Sequence, residues 1–258
     1  MATRILFDGD PGIDDAMALF FGLLHPELDF VGITTVFGNT TVEFATRNTL
    51  QILEAANRTD VPVVMGASHP LLKPLAPRWG RIHGADGLGN QSHLYPTPTT
   101  RPLDVAAATF IVETVMANPG EVTLVPVGRM TNLALALRLE PRIVENVKEV
   151  VVMGGAAFVP GNASPVAEAN IREDAHASNI VFSAGWPLVM VGLDVTMKVP
   201  MTPAYINSIA EIGRPETDFI AKIAPFYQQA YAQFHNSDGT IYCHDAYALA
   251  YILNPGLF

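Results

Sequence analysis

Apolar positions in this chain gather into short unbroken runs at residues 5–7, 30–37, 61–65, 122–127, 150–153 and 188–191. Runs that are apolar throughout, with no polar alternation, suit strands covered on both faces. Residues 16–24, 42–56, 105–117, 132–139 and 174–184 lie between them and repeat their apolar positions at helical spacing. This alternation predicts an α/β fold with a mainly parallel central sheet flanked by helices. The pattern from 203 to 234 is again helical until His235-Asn236-Ser237-Asp238-Gly239 breaks it, and residues 246–253 form a last apolar segment.

Ligands of open α/β sheets bind beyond the carboxyl ends of the strands, so residues just after each run carry the most weight. An acidic cluster follows the first run, Gly38-Asn39 the second, Val127-Gly128 the fourth, and Gly154-Gly155 with a polar loop to Asn170 the fifth. Their chemistry is expected to converge on one rim. Residues 66–102 hold Pro70, Pro74, Pro77, Pro96, Pro98 and Pro102 with four glycines at 80, 84, 87 and 89. That punctuation excludes long regular elements and reads as a flap over the rim.

The acidic cluster is Asp8-Gly9-Asp10-Pro11-Gly12-Ile13-Asp14-Asp15. Carboxylates packed this closely raise one another's pKa or demand a counterion, and a divalent metal is the natural one. Pro11-Gly12 makes a turn into a helix that begins near Asp14, where the dipole favours ionised acids. Oxygen donors without soft ligands select Ca²⁺ or Mg²⁺ over zinc. An EF-hand is excluded: a loop from Asp8 would need glycine at Ile13 and glutamate at Leu19. The competing reading is that these acids only cap a helix.

Composition narrows the partners. The chain has 258 residues, 49% of them hydrophobic, which suits one large domain with a sizeable core. Fifteen basic against 25 acidic residues leave a net charge of -10, which argues against a nucleic-acid partner. A single cysteine, Cys243, permits no internal disulfide and fits the reducing cytoplasm. The start of the chain lacks the apolar stretch of a signal peptide, and no run is long enough to span a bilayer, so no membrane partner is expected.

Two further groups carry chemistry. His244-Asp245 opens the apolar segment 246–253 and pairs a proton donor with a possible metal ligand, although a helix cap with an incidental histidine would look the same. The loop from Gly161-Asn162 to Glu168-Ala169-Asn170 sets two amides and a carboxylate together, a set suited to sugar hydroxyls and equally to an ordinary polar loop.

Taken in order, the aspartate run, Gly38-Asn39, Gly154-Gly155, Glu168-Ala169-Asn170-Ile171 and His244-Asp245 closely resemble the inosine-uridine preferring nucleoside hydrolase family over nearly the whole chain. The resemblance implies an open, nucleoside-hydrolase-type α/β architecture and calcium-dependent hydrolysis of the N-glycosidic bond of ribonucleosides. It implies a Ca²⁺ held by Asp10, Asp15, Asp245 and the main-chain carbonyl of Val127. Asp10 would also deprotonate a metal-bound water. Asp14, Asn39, Asn162, Glu168 and Asn170 would grip the ribose.

His244 would protonate the departing base, with His83 of the flap as the second candidate near the substrate. Tyr227 and Tyr231 share a helical face and line either the base pocket or the core. The resemblance also implies a homo-oligomer, dimer or tetramer. It departs from the family at Ala169, where many relatives carry an aromatic, and at Ala246, where proline is common. The chain stops at Phe258, so residues 1–258 are expected to form one domain without the usual C-terminal segment.

Two other functions fit parts of the pattern. A Mg²⁺ phosphohydrolase would use Asp8 as nucleophile and Asp10 as acid, with Lys198 as its cation. A noncatalytic ribose- or calcium-binding module would use the same ligands without turnover.

Overall fold

The computed structural model describes residues 2–75 and 80–258. Pro77, counted above with the flap, lies outside the described residues. Six strands form one sheet: β1 (Thr3–Gly9), β2 (Leu28–Thr35), β3 (Val63–Met65), β4 (Val122–Pro126), β5 (Glu149–Met153) and β6 (Leu188–Val191). All pair in parallel, in the order β3-β2-β1-β4-β5-β6. The chain winds outward from β1 to β3, then crosses back and winds the other way from β4. The reversal opens a crevice beyond the ends of β1 and β4.

The helices are α1 (Ile13–Leu23), α2 (Val42–Ala55), α3 (Ala107–Ala117), α4 (Thr131–Leu139), α5 (Ile143–Asn146), α6 (Ala169–Glu173), α7 (Ala175–Phe182), α8 (Leu193–Thr196), α9 (Pro203–Ala210), α10 (Pro215–His235) and α11 (Ala246–Leu253). They cover both faces of the sheet. Along β1, Ile5 and Phe7 enter a core with α1, α2, α10 and α11, while Leu6 enters the opposite core with α3, α4 and α7. Burial on both faces explains why the strands read as continuous apolar runs.

The helical pattern over 203–234 proves to be two helices. Gly213, at φ +67°, turns the chain between α9 and α10, a conformation that residues with a Cβ avoid. The short helices α5, α6 and α8 were not expected from periodicity, since one turn carries too few positions to show a period. Among the described residues of the flap, the only helical turn is a 3₁₀ turn at Ser92–Leu94. Asp86 ties this loop by accepting from the backbone N–H groups of Leu88, Asn90 and Ser92.

Candidate active site

The crevice at the reversal is a cavity of about 550 Å³, a size suited to a small organic ligand. The end of β1 delivers Asp10, and Pro11-Gly12 turns the chain into α1, whose first turn carries Asp14 and Asp15. Asp15 caps its own helix, accepting from the Gly12 N–H at 2.9 Å. Packing of α11 against α1 brings His244 and Asp245 to the same place, with the Cys243 thiol donating to the Asp14 carbonyl at 3.6 Å. Asp14, Asp15 and Asp245 each offer an oxygen within 4.8 Å of the others, and all three are buried.

Burial dominates the electrostatics. Burial first, and a neighbouring acid with it, push the carboxyls of Asp14 and Asp15 up to about 7. Asp245 and Asp10 are raised well above the carboxylate range, again first by burial. Asp10 Oδ1 and Asp14 Oδ1 are buried without a hydrogen-bond partner. Hard oxygen donors, two of them orphaned, fit a divalent cation such as Ca²⁺ or Mg²⁺, which would make ionisation of the cluster favourable.

Asp10 stands slightly apart from that trio. Its Oδ2 accepts from the Asn39 backbone N–H and from Arg129, which is itself buried. Gly38 makes this possible: a Cβ there would collide with both Asp10 Oδ2 and the Arg129 guanidinium. The Asn39 side chain donates to Asp15 Oδ2 at 2.9 Å. Asn39 thus braces two carboxylates while facing the cavity.

The amide of Asn170 donates to the carbonyls of Val127 at 2.7 Å and Met153 at 3.1 Å. The Val127 carbonyl therefore faces the site with one neighbour already in place. Glu168 caps α6 and accepts from the backbone N–H groups of Gly155, Asn170 and Ile171 at 2.9–3.1 Å. Asn162 accepts from the Ala169 N–H at 3.0 Å. Glu168, Asn162 and Asn170 all line the cavity.

His83 reaches the site from the flap. Its Nδ1 accepts from the Ile13 N–H at 3.2 Å and lies 3.7 Å from Asp14 Oδ1. Burial holds it down to about 3, so it is neutral at pH 7. His244 is pushed down to about 4, also by burial. Its Nδ1 meets Thr196 Oγ1 at 2.7 Å and its Nε2 meets the Tyr231 hydroxyl at 3.0 Å. Tyr227 donates to the Tyr231 hydroxyl at 3.4 Å, and both tyrosines line the cavity while remaining buried.

Of the residues singled out in the sequence for the metal or the sugar, all line the crevice except Asp10 and Asp15, which lie behind it, bonded to its Arg129 and Asn39. It also holds residues missed there. Buried Arg129 pairs with the partly exposed Glu173, with 2.6 Å between Nη2 and Oε2, and Thr196 supports His244. Arg129 had a signal: it is the one charged residue in the apolar stretch 122–137, directly after a strand.

The phosphohydrolase reading is overturned. Asp8 is fully buried, with Oδ1 accepting from Thr34 at 2.5 Å and Asn132 at 2.7 Å, and it lies outside the cavity lining. The Asp8 side chain bonds to no residue of that lining, whereas Asp10 bonds to Arg129 and Asn39 within it. Lys198 is exposed on the surface and also lies outside that lining.

The fold and site define an α/β enzyme with an acidic metal-binding crevice. The family model described as inosine-uridine preferring nucleoside hydrolase matches residues 5–258, and the chain belongs to that family. It is 42% identical to the inosine-uridine preferring nucleoside hydrolase of Leishmania major, covering 99% of this chain and 80% of that one. It is 41% identical to probable uridine nucleosidase 2 of Arabidopsis thaliana, covering 99% and 79%. Among solved structures, a plant nucleoside hydrolase superposes with a TM-score of 0.95 at 37% identity, covering 100% of this chain and 80% of that one.

Proposed function

We propose that this nucleoside hydrolase cleaves ribonucleosides to free base and ribose in a calcium-dependent reaction, with Asp10 as the base for the attacking water. The observation that carries this is the buried carboxylate group at the strand-order reversal, with orphaned oxygens on Asp10 and Asp14 and amide side chains along the same cavity. Asp10, Asp15, Asp245 and the Val127 carbonyl would hold the ion. When bound, it would supply a Lewis acid that lowers the pKa of a water.

Asp10 offers its unpartnered Oδ1 as the base for the attacking water, while Oδ2 stays anchored. Cleavage of the N-glycosidic bond leaves positive charge on the ribose ring, which the surrounding carboxylates stabilise. Asp14, Asn39, Asn162, Glu168 and Asn170 bind and orient the hydroxyls. Much of the Glu168 carboxylate is taken by backbone donors, so it serves the ribose from a fixed position.

A neutral His244 cannot release a proton as an imidazolium at pH 7. The proton that the departing base takes up is, in balance, the one that Asp10 removes from the water; Tyr231 and Tyr227, hydrogen-bonded to His244, and His83 on the flap side orient the base to receive it. The protein acts as a homo-oligomer, dimer or tetramer, in the cytoplasm. Among the described residues no helix is long and apolar enough to cross a membrane.

The test is release of base and ribose from inosine, uridine and cytidine, with and without chelator. Release is expected to vanish with chelator, return with calcium, and fall about 10²–10⁴-fold in Asp10→Asn. Ribose binding without any base release would instead establish a noncatalytic binding module.

A further inference from the structure

Arg129 places a fixed positive charge inside the crevice. It follows β4 directly, its side chain is 4% exposed, and its guanidinium spans three side chains: Asp10 Oδ2, Glu173 Oε2 and Asn170 Oδ1 at 3.2 Å. The bond to Asn170 fixes which way that amide faces, sending Nδ2 to the Val127 and Met153 carbonyls. The bond to Asp10 occupies Oδ2 and leaves Oδ1 unpartnered, beside Gly128, where a Cβ would stand 2.7 Å from that oxygen. Arg129 therefore divides the acidic cluster. Asp10 and Glu173 have a cation of the protein's own, and Asp14, Asp15 and Asp245 form the group whose oxygens converge.

A divalent ion held by Asp15 and Asp245 with the free oxygen of Asp10 would feel Arg129 in two ways. The guanidinium repels it at short range, in an interior where charges interact far more strongly than in water. It also restricts Asp10 to one free oxygen. We propose that Arg129 is a built-in counter-cation that weakens the site's hold on a divalent ion and, as a positioning residue, pins Asp10 by Oδ2 so that Oδ1 is its one free oxygen. This rests on the reading of the site as a calcium-dependent nucleosidase.

Calcium titration calorimetry on the chelator-treated full chain, together with nucleoside turnover, tests it in Arg129→Met, Arg129→Gln and Arg129→Lys. The two neutral variants are expected to bind calcium about tenfold or more tightly than wild type. Lysine keeps the charge but cannot bridge three partners, so its calcium affinity stays within about threefold of wild type. Arg129→Met loses about tenfold or more in kcat with little change in KM, because Asp10 is no longer pinned, whereas Arg129→Gln and Arg129→Lys, which keep one donor for Asp10, lose less.

Should Arg129→Met fail to fold by near-ultraviolet dichroism, Arg129→Gln carries the comparison, since its amide still donates to Asp10. Neutral variants that bind calcium no more tightly than wild type would overturn the inference. If wild type itself neither binds calcium nor releases base, the functional reading fails, an outcome distinct from an unchanged variant-to-wild-type ratio.

Discussion

Two halves of one acidic crevice solve the same electrostatic problem differently. On the Asp10 side, buried carboxylates are met by Arg129 and by backbone N–H groups. On the Asp14–Asp15–Asp245 side, burial drives the acids up to about 7 and beyond, and Asp14 keeps an oxygen without a partner. The first half has a cation of the protein's own, although Asp10 Oδ1 stays without a partner. The second is preorganised for a charge that the protein does not supply, which is how a rigid scaffold favours binding over self-satisfaction.

The strongest way to break this contrast is to remove one charge from the incomplete half. Asp245 precedes α11 without a side-chain capping bond, so Asp245→Asn removes a ligand charge without removing a cap. Calcium affinity is expected to fall on the order of 100-fold in a titration, with the melting temperature of the calcium-free protein unchanged or raised.

The contrast also sets a pH dependence. The folded-state pKa values of Asp14 and Asp15 lie above their unfolded values. Their contribution to stability without metal is therefore present below about pH 4 and lost as pH rises through about 7. Calcium needs these groups ionised, so the melting-temperature difference between calcium-loaded and calcium-free protein is expected to widen from pH 5 to pH 8. The buried histidines titrate in the opposite sense, and that difference largely cancels them. A difference independent of pH would show that the acids are ionised without metal.

The smallest effect concerns Asp8, a buried acid whose Oδ1 is held by two neutral side chains and whose Oδ2 has no partner. Thr34→Val removes the hydroxyl donated to it and is expected to cost about 1–3 kcal/mol in denaturant unfolding, with calcium affinity unchanged. A loss of calcium binding there would join Asp8 to the metal-binding half.

Much of this was legible in the sequence because it is local. Apolar runs give the strand positions, Pro11-Gly12 announces the turn into α1, and the four aspartates lie within eight residues of one another. Arg129 is different. Its position after a strand was visible, but its partner Asp10 is 119 residues away, and only the adjacency of β1 and β4 joins them. The break at Gly213 was legible but passed over, since apolar positions stop at Ile212 and resume at Phe219, and Gly213 and Pro215 punctuate the gap.

The sequence by itself determined the alternation of strands and helices, the acidic chemistry at the end of β1 and the absence of a disulfide. These follow from side-chain identity and short-range geometry. Tertiary structure alone decided which carboxylates converge, which receive a cation and which reach the cavity. Strand order and helix packing set those distances, and in a buried site distance and desolvation govern the energy of a charge.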